Sequence, residues 1–173
     1  KDTQRAAVPH LRGLSRERRE QAVIMDATTR RNLEIDASLG RRDDYTLAGL
    51  MDRCATPMGS RLLKAWLNRP IRDRQTLKSR QQAVAALQEP ELVAELQAGL
   101  KEIGDVERIL TRIAMRSARP RDLAQLRHAL QNLPAIKRTA GSLDSPHLAV
   151  IAERCGQHEE QRSLLEAAVV ETP

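Results

Sequence analysis

The sequence predicts a mainly α fold: a multi-helical domain with a short two-strand β element near its N-terminus. Three observations carry this. The chain has 173 residues, 40% of them hydrophobic but only 1% aromatic, with one tryptophan and no phenylalanine. Such a core must be aliphatic, which suits packed helices better than a sandwich of β-branched and aromatic strands. Apolar residues recur at helical spacing through most of the chain. Finally, Thr, Asp and Pro stand where helix N-termini need them. At this length one sizeable domain with a real core is expected.

Residues 1–20 are polar and basic, interrupted by Pro9 and Gly13, and read as a linker or the end of something upstream. Neither Lys1 nor Pro173 has the look of a natural terminus, so a piece of a longer protein is expected. Ala22-Val23-Ile24-Met25-Asp26 and Asn32-Leu33-Glu34-Ile35 are short apolar segments and are expected to pair as strands. On a strand, Leu33 and Ile35 would share one face and enter the core, while Arg30, Arg31 and Glu34 would form ion pairs to the helices. Residues 37–44, with Gly40 and Asp43-Asp44, read as a polar loop.

The pattern then turns helical. Leu47, Leu50, Met51 and Cys54 mark a first helix. A second runs from Thr56 to Leu67: Thr56 caps it, Pro57 suits its first position, and Met58, Leu62, Ala65 and Trp66 form its apolar face, expected to lie in the core. Pro70 disfavours helical geometry at Arg69 and stops it. Asp73 can cap a third helix carrying Leu77, Val84 and Leu87, before Glu89-Pro90 intervenes. Leu92, Val93, Leu96 and Leu100 mark a fourth, ending near Gly104.

Asp105 opens the clearest helix, with Val106, Ile109, Leu110, Ile113 and Ala114 on one face. Arg119-Pro120 ends it, and Pro120 with Asp122 suits the first turn of the next helix, whose face is Leu123, Leu126, Leu130 and Leu133. Pro134 is expected to break that helix. Pro146 begins a last helical stretch through Leu148, Ile151 and Cys155 to Leu164, Leu165, Ala168 and Val169. Gly156 weakens its middle; unbroken, it would be a rod of about 35 Å at 1.5 Å per residue.

Composition and motifs exclude more chemistry than they suggest. The net charge of +6 is spread along the chain, as on a solvated arginine-rich surface, and no aromatic residues are interleaved for stacking on bases. Cys54 and Cys155 read as reduced, buried thiols of a cytosolic protein. No apolar run approaches a membrane span. Gly99 to Gly104 has the glycine spacing of a phosphate-binding loop without the Lys and Ser/Thr that must follow, so it reads as a turn between helices. Cys155 and His158 form half a metal-ligand spacing with no second pair. No catalytic, cofactor-binding or metal-ligating residue is expected.

One charged constellation stands out. Arg108, Arg112 and Arg116 are spaced four apart with Arg119 following, on the polar side of the helix opened by Asp105. They form either a solvated face supported by local pairs such as Asp105 with Arg108, or a row of guanidinium groups facing DNA phosphates or an acidic neighbouring domain.

Three segments together resemble the core (lever) region of the bacterial MutS family of DNA mismatch-repair proteins. They are Ile24 to Ile35; Thr46-Leu47, Leu50-Met51-Asp52 and Thr56-Pro57-Met58-Gly59 through Trp66-Leu67 and Pro70; and Ile103 to Leu110 followed by Arg116 to Leu123. Lys1 to Arg5 also resembles the end of the family's connector domain. The resemblance covers nearly the whole chain.

It implies the end of a connector domain over residues 1–20 and a helical core domain over 21–173, truncated where the family inserts its clamp. It also implies a non-catalytic part that couples nucleotide state to DNA clamping and mismatch recognition. In the parent protein it implies ATP and magnesium, mismatched duplex DNA, the other domains of the same chain, a MutL-type partner and a homodimer or higher assembly, in the bacterial cytoplasm. The family's mismatch-reading Phe-x-Glu and its complete Walker A have no counterpart here. Asp26, Arg31, Leu33, Thr56, Pro57, Trp66, Ile109 and Ile113 are the residues expected to serve structure and coupling. The rival expectations are a stand-alone basic helical DNA-binding domain using the arginine row, and a helical domain of an unrelated enzyme.

Overall fold

Side-chain caps set most of the helix starts. The computed structural model describes residues 21–40 and 45–170. Among them lie nine α-helices: α1 Ala27–Asn32, α2 Leu47–Met51, α3 Pro57–Asn68, α4 Arg74–Ala86, α5 Pro90–Ile103, α6 Val106–Ala114, α7 Pro120–Gly141, α8 Pro146–Arg154 and α9 Glu159–Ala168. The residue before the helix accepts from a first-turn amide at Asp26 (from Thr29, 2.6 Å), Thr46 (Gly49, 3.0 Å), Thr56 (Gly59, 3.0 Å) and Asp73 (Thr76, 2.9 Å). Asp105 does the same for α6 and Ser145 for α8, both at 3.4 Å. Proline is the first residue of α3, α5, α7 and α8, where its missing N–H costs nothing.

The longest helix, α7, is the hub. Helices α5, α6, α8 and α9 all pack on it, and α4 reaches the bundle through α8. The buried cluster joins Ile109 of α6, Ala124 and Leu126 of α7, and Leu165 and Val169 at the end of α9, with Val106, Leu123 and Leu130 packed against it. Helices α5 and α7 come close at Gly99, where a Cβ would lie 3.2 Å from Ile136 Cγ1. Thr139 Oγ1 donates to Glu95 across the same pair at 3.0 Å.

Helix α3 lies outside this cluster: like the short α1 it has no buried residue, and its main helical neighbour is the short α2. Trp66 is 41% exposed and Leu62 52% exposed, so this helix is not the core element its apolar face suggests.

Five further expectations are corrected. The two N-terminal segments do not pair as strands among the described residues; Asp26 accepting from Thr29 nucleates α1 between them, and Ala22 instead makes an isolated antiparallel bridge with Ile71. Leu33, the residue ending α1, is exposed while Ile35 is buried, because the backbone between them turns through Glu34 at φ 45°. Glu34 accepts from Ser38 and Leu39, and neither Arg30 nor Arg31 forms an ion pair among the described residues. Pro134 lies inside α7 without ending it: packing of α5 and α8 on the flanking turns outweighs one lost backbone bond. The final stretch is two helices, not one rod. Gly156 weakens the helix where the chain turns, His158 adopts a left-handed φ of 51°, and its imidazole lies where a Cβ on Gly156 would sit, at 2.9 Å.

The thiols also differ from expectation, since Cys54 is exposed and Cys155 half-buried. The segment 1–20, expected to end a connector domain, lies outside the described residues, as do residues 41–44 of the expected loop.

Candidate coupling junction

Helix α3 is tied to the bundle by charged and polar contacts. Arg61, in its second turn, sends Nη1 to Asp105 Oδ2 at 2.8 Å and Nη2 to Asp105 Oδ1 at 2.7 Å, and Nη2 also reaches Glu107 Oε2 at 2.5 Å. Asp105 is at the same time the cap of α6. The local sequence puts it there: Gly104, at φ 69°, ends α5 in a conformation that favours glycine and leaves room for Gln125, whose side chain donates to Glu102 O at 2.8 Å. A planar guanidinium gripping both oxygens of one carboxylate fixes direction as well as distance. The Arg61 side chain holds the Asp105 carboxyl below its ordinary value, and the two carboxylates in turn raise Arg61.

The same device recurs one helix further on. Arg112 Nη1 of α6 contacts Asp122 Oδ1 at 2.5 Å, while Asp122 Oδ2 accepts from the Arg119 amide at 2.9 Å and so caps α7. The Arg119 amide is the main cause of a lowered Asp122 pKa, with Arg112 reinforcing it. Two aspartates thus cap two successive helices, and each is held by an arginine from the preceding part of the chain. The path runs from α3 through Arg61 and Asp105 to α6, then through Arg112 and Asp122 to α7.

A second tie leaves α3 from its other end. The Arg80 guanidinium of α4 lies 3.7 Å from the centroid of the Trp66 ring, a cation–π contact. At the far side of the bundle Arg127, 7% exposed, donates to the carbonyl of Val169 at 2.6 Å and secures the end of α9 on α7.

These contacts place the residues singled out from sequence. Thr56 and Pro57 start α3, Asp26 starts α1, Ile109 is in the buried cluster, and Ile113 is partly exposed. Arg31 and Leu33 are exposed near the end of α1 and join none of these ties. The arginine row is not one helix face. Arg108 pairs with Asp105 at 3.5 Å and Arg112 with Asp122, but α6 ends at Ala114; Arg116 follows in a left-handed turn and Arg119 stands at the start of α7. Arg61, Glu107, Arg80 and Arg127 were not marked by any local pattern. A polar position inside an amphipathic helix was the only available signal for Arg61, and its partner lies 44 residues on.

Other candidate chemistry is spent on structure. Gly99 is used for close packing on Ile136 and Gly104 for the turn, so this glycine pair makes no phosphate cradle and these residues do not fit ATP. Partial burial, then the neighbouring Asp52, raises the Cys54 thiol pKa, which makes it a poor nucleophile at neutral pH. No group of three or more potential metal ligands occurs among the described residues, and no described helix is long and apolar enough to cross a membrane. A family model described as MutS domain III matches residues 28–173.

Proposed function

The chain belongs to the MutS domain III family, and from that premise we propose that it is the mechanical core of a mismatch-repair ATPase, performing no chemistry itself. Its task is to couple nucleotide state to closure of the clamp on DNA and to pass mismatch recognition back. ATP and magnesium bind elsewhere in the parent protein, which acts on mismatched duplex DNA as a homodimer or larger assembly with a MutL-type partner, in the bacterial cytoplasm.

The observation that carries this reading is the Arg61 fork. It joins a helix with no buried residue to the capped start of a helix rooted in the bundle. A helix held mainly by directional charged contacts has discrete docked and undocked states, which is what transmission between distant sites requires. By contrast, the dense packing around α7 makes α5 to α9 move as one body.

The test is Arg61→Ala in the full-length parent. We expect nucleotide-triggered conversion to a sliding clamp to slow at least several-fold while the protein stays folded and still binds ATP. Conversion at the normal rate would refute the reading.

A further inference from the structure

A cavity of about 390 Å³ opens between α7 and the end of α9, lined by Arg127, His128 and Gln131 of α7 and by Glu166, Val169 and Val170. Arg127 is the most buried of the six, at 7% exposed, and its one hydrogen bond runs from Nη1 to the Val169 carbonyl. Its Nε and Nη2 have no partner among the described residues, and neither is sealed from solvent in the way that the Nε atoms of Arg80 and Arg162 are. The free edge of the guanidinium therefore opens on the cavity.

That guanidinium has no anionic partner among the described residues. A buried arginine is ordinarily paired, because an uncompensated charge out of water is costly. Securing one carbonyl needs a donor and not a full charge. Glu166, the carboxylate in the cavity wall, is already engaged by Gln131 Nε2 at 3.0 Å and by Arg162 Nε at 3.7 Å. The charge on Arg127 is thus not explained by its contact with Val169.

We propose that this cavity is a binding site for a short-chain aliphatic monocarboxylate, with its two oxygens on Nε and Nη2 of Arg127 and its tail against Val170. The Nε–Nη2 edge is a planar fork matched to the two oxygens of a carboxylate. Val170, 69% exposed, supplies apolar wall, and the volume exceeds what a carboxylate alone fills. A doubly charged phosphate fits less well, since the Glu166 carboxylate in the same wall repels the second charge. A bound monocarboxylate neutralises Arg127 and braces the end of α9 on α7. This site involves neither α3 nor the Arg61 fork, so it stands apart from the coupling reading.

Hydrogen exchange in the full-length parent reads the site, with 3-methylbutanoate as the probe, raised to a plateau at constant ionic strength. We expect the probe to slow exchange of the Glu159–Ala168 amides by about threefold or more and to leave α5 unchanged. 3-Methylbutanol, of similar shape without the charge, should slow nothing, and inorganic phosphate should slow α9 less than the probe does. The ratio of rates without and with probe, taken within each variant, should fall to one in Val170→Asp, which sets a carboxylate in the cavity wall at an exposed position. It should also fall to one in Arg127→Lys, which keeps a cation and loses the fork. No slowing by the probe, slowing shared by α5, slowing by the alcohol, slowing by phosphate as great as the probe's, or slowing that survives either substitution would each overturn the proposal.

Discussion

Arg61 and Asp105, 44 positions apart in the chain, meet in a two-pronged contact at 2.7 and 2.8 Å, and the carboxylate that receives the guanidinium is also the cap of α6. One side chain therefore serves two helices. Pulling α3 away removes the partner that orients the cap, and distorting the α6 start misaligns the fork. Asp122 links α6 to α7 in a related way, with one oxygen on Arg112 in a single-pronged contact and the other accepting from the Arg119 amide.

Acid should loosen these joints. Asp26, Asp73, Asp105 and Asp122 all have pKa values below the ordinary carboxylate value in the folded protein, held there at Asp105 first of all by Arg61, at Asp73 first by the Thr76 hydroxyl and then its amide, and at Asp26 and Asp122 first by the backbone amides of Thr29 and Arg119. Because the folded values lie below the unfolded ones, their stabilisation is fully present above about pH 4 and is lost as pH falls through the folded values. Urea midpoints measured across pH 2–7 should therefore drop steeply below about pH 4, and Asp105→Asn should flatten that drop while lowering stability at neutral pH. An identical acid slope in the variant would contradict the assignment.

Trp66→Ala should be mild. The ring is half-exposed and its defined partner is the Arg80 cation, so the expected cost is about 1 kcal/mol, well short of the roughly 3–5 kcal/mol for emptying a fully buried aromatic site. Thermal unfolding measures this. The same variant, still folded, should weaken ATP-dependent clamp formation in the parent, since it loosens the second tie of α3.

Pro134→Ala should stabilise. An alanine restores the N–H that can bond to Leu130 O inside α7, and a gain of about 1–3 kcal/mol is expected from removing an interior proline. Chemical denaturation distinguishes this from a neutral or destabilising change, which would mean that the surrounding packing requires the proline ring.

Arg127→Met should release α9. The variant keeps the aliphatic stem but leaves the Val169 carbonyl without its charged donor, an expected loss of about 1.5–3 kcal/mol. Hydrogen exchange should show the amides of Glu159–Ala168 losing protection before those of α7. Uniform loss across both helices would argue against a local role.

Local chemistry made much of this fold legible. The caps at Thr56, Asp73 and Asp105 and the prolines at 57, 120 and 146 mark helix starts because they act within a turn or two of their own position. What was not legible depends on distant packing. The expected strands around Thr28 gave way to α1, a helix too short to show a period, and α7 ran through Pro134 because neighbours in space held both sides of it. The apolar face of α3 implies a cover for Trp66, yet in this chain Arg80 is its defined contact. The four arginines do not share one helix face for a related reason: their spacing presumes a helix that runs past Ala114, where α6 ends. The candidate junction was half visible, with Asp105 evident as a cap and Arg61 hidden among the polar positions of α3.

The claim that motion passes between α3 and α6 through one charged contact is tested most directly by a charge swap in the full-length parent. Arg61→Asp and Asp105→Arg are made singly and together, and the rate of ATP-dependent sliding-clamp formation is measured for all four proteins. Each single change should slow the rate at least tenfold, and the double change should recover a substantial part of it, because the contact is rebuilt with its charges reversed. A double variant whose loss is simply the product of the two single losses would contradict a shared contact as the route of coupling.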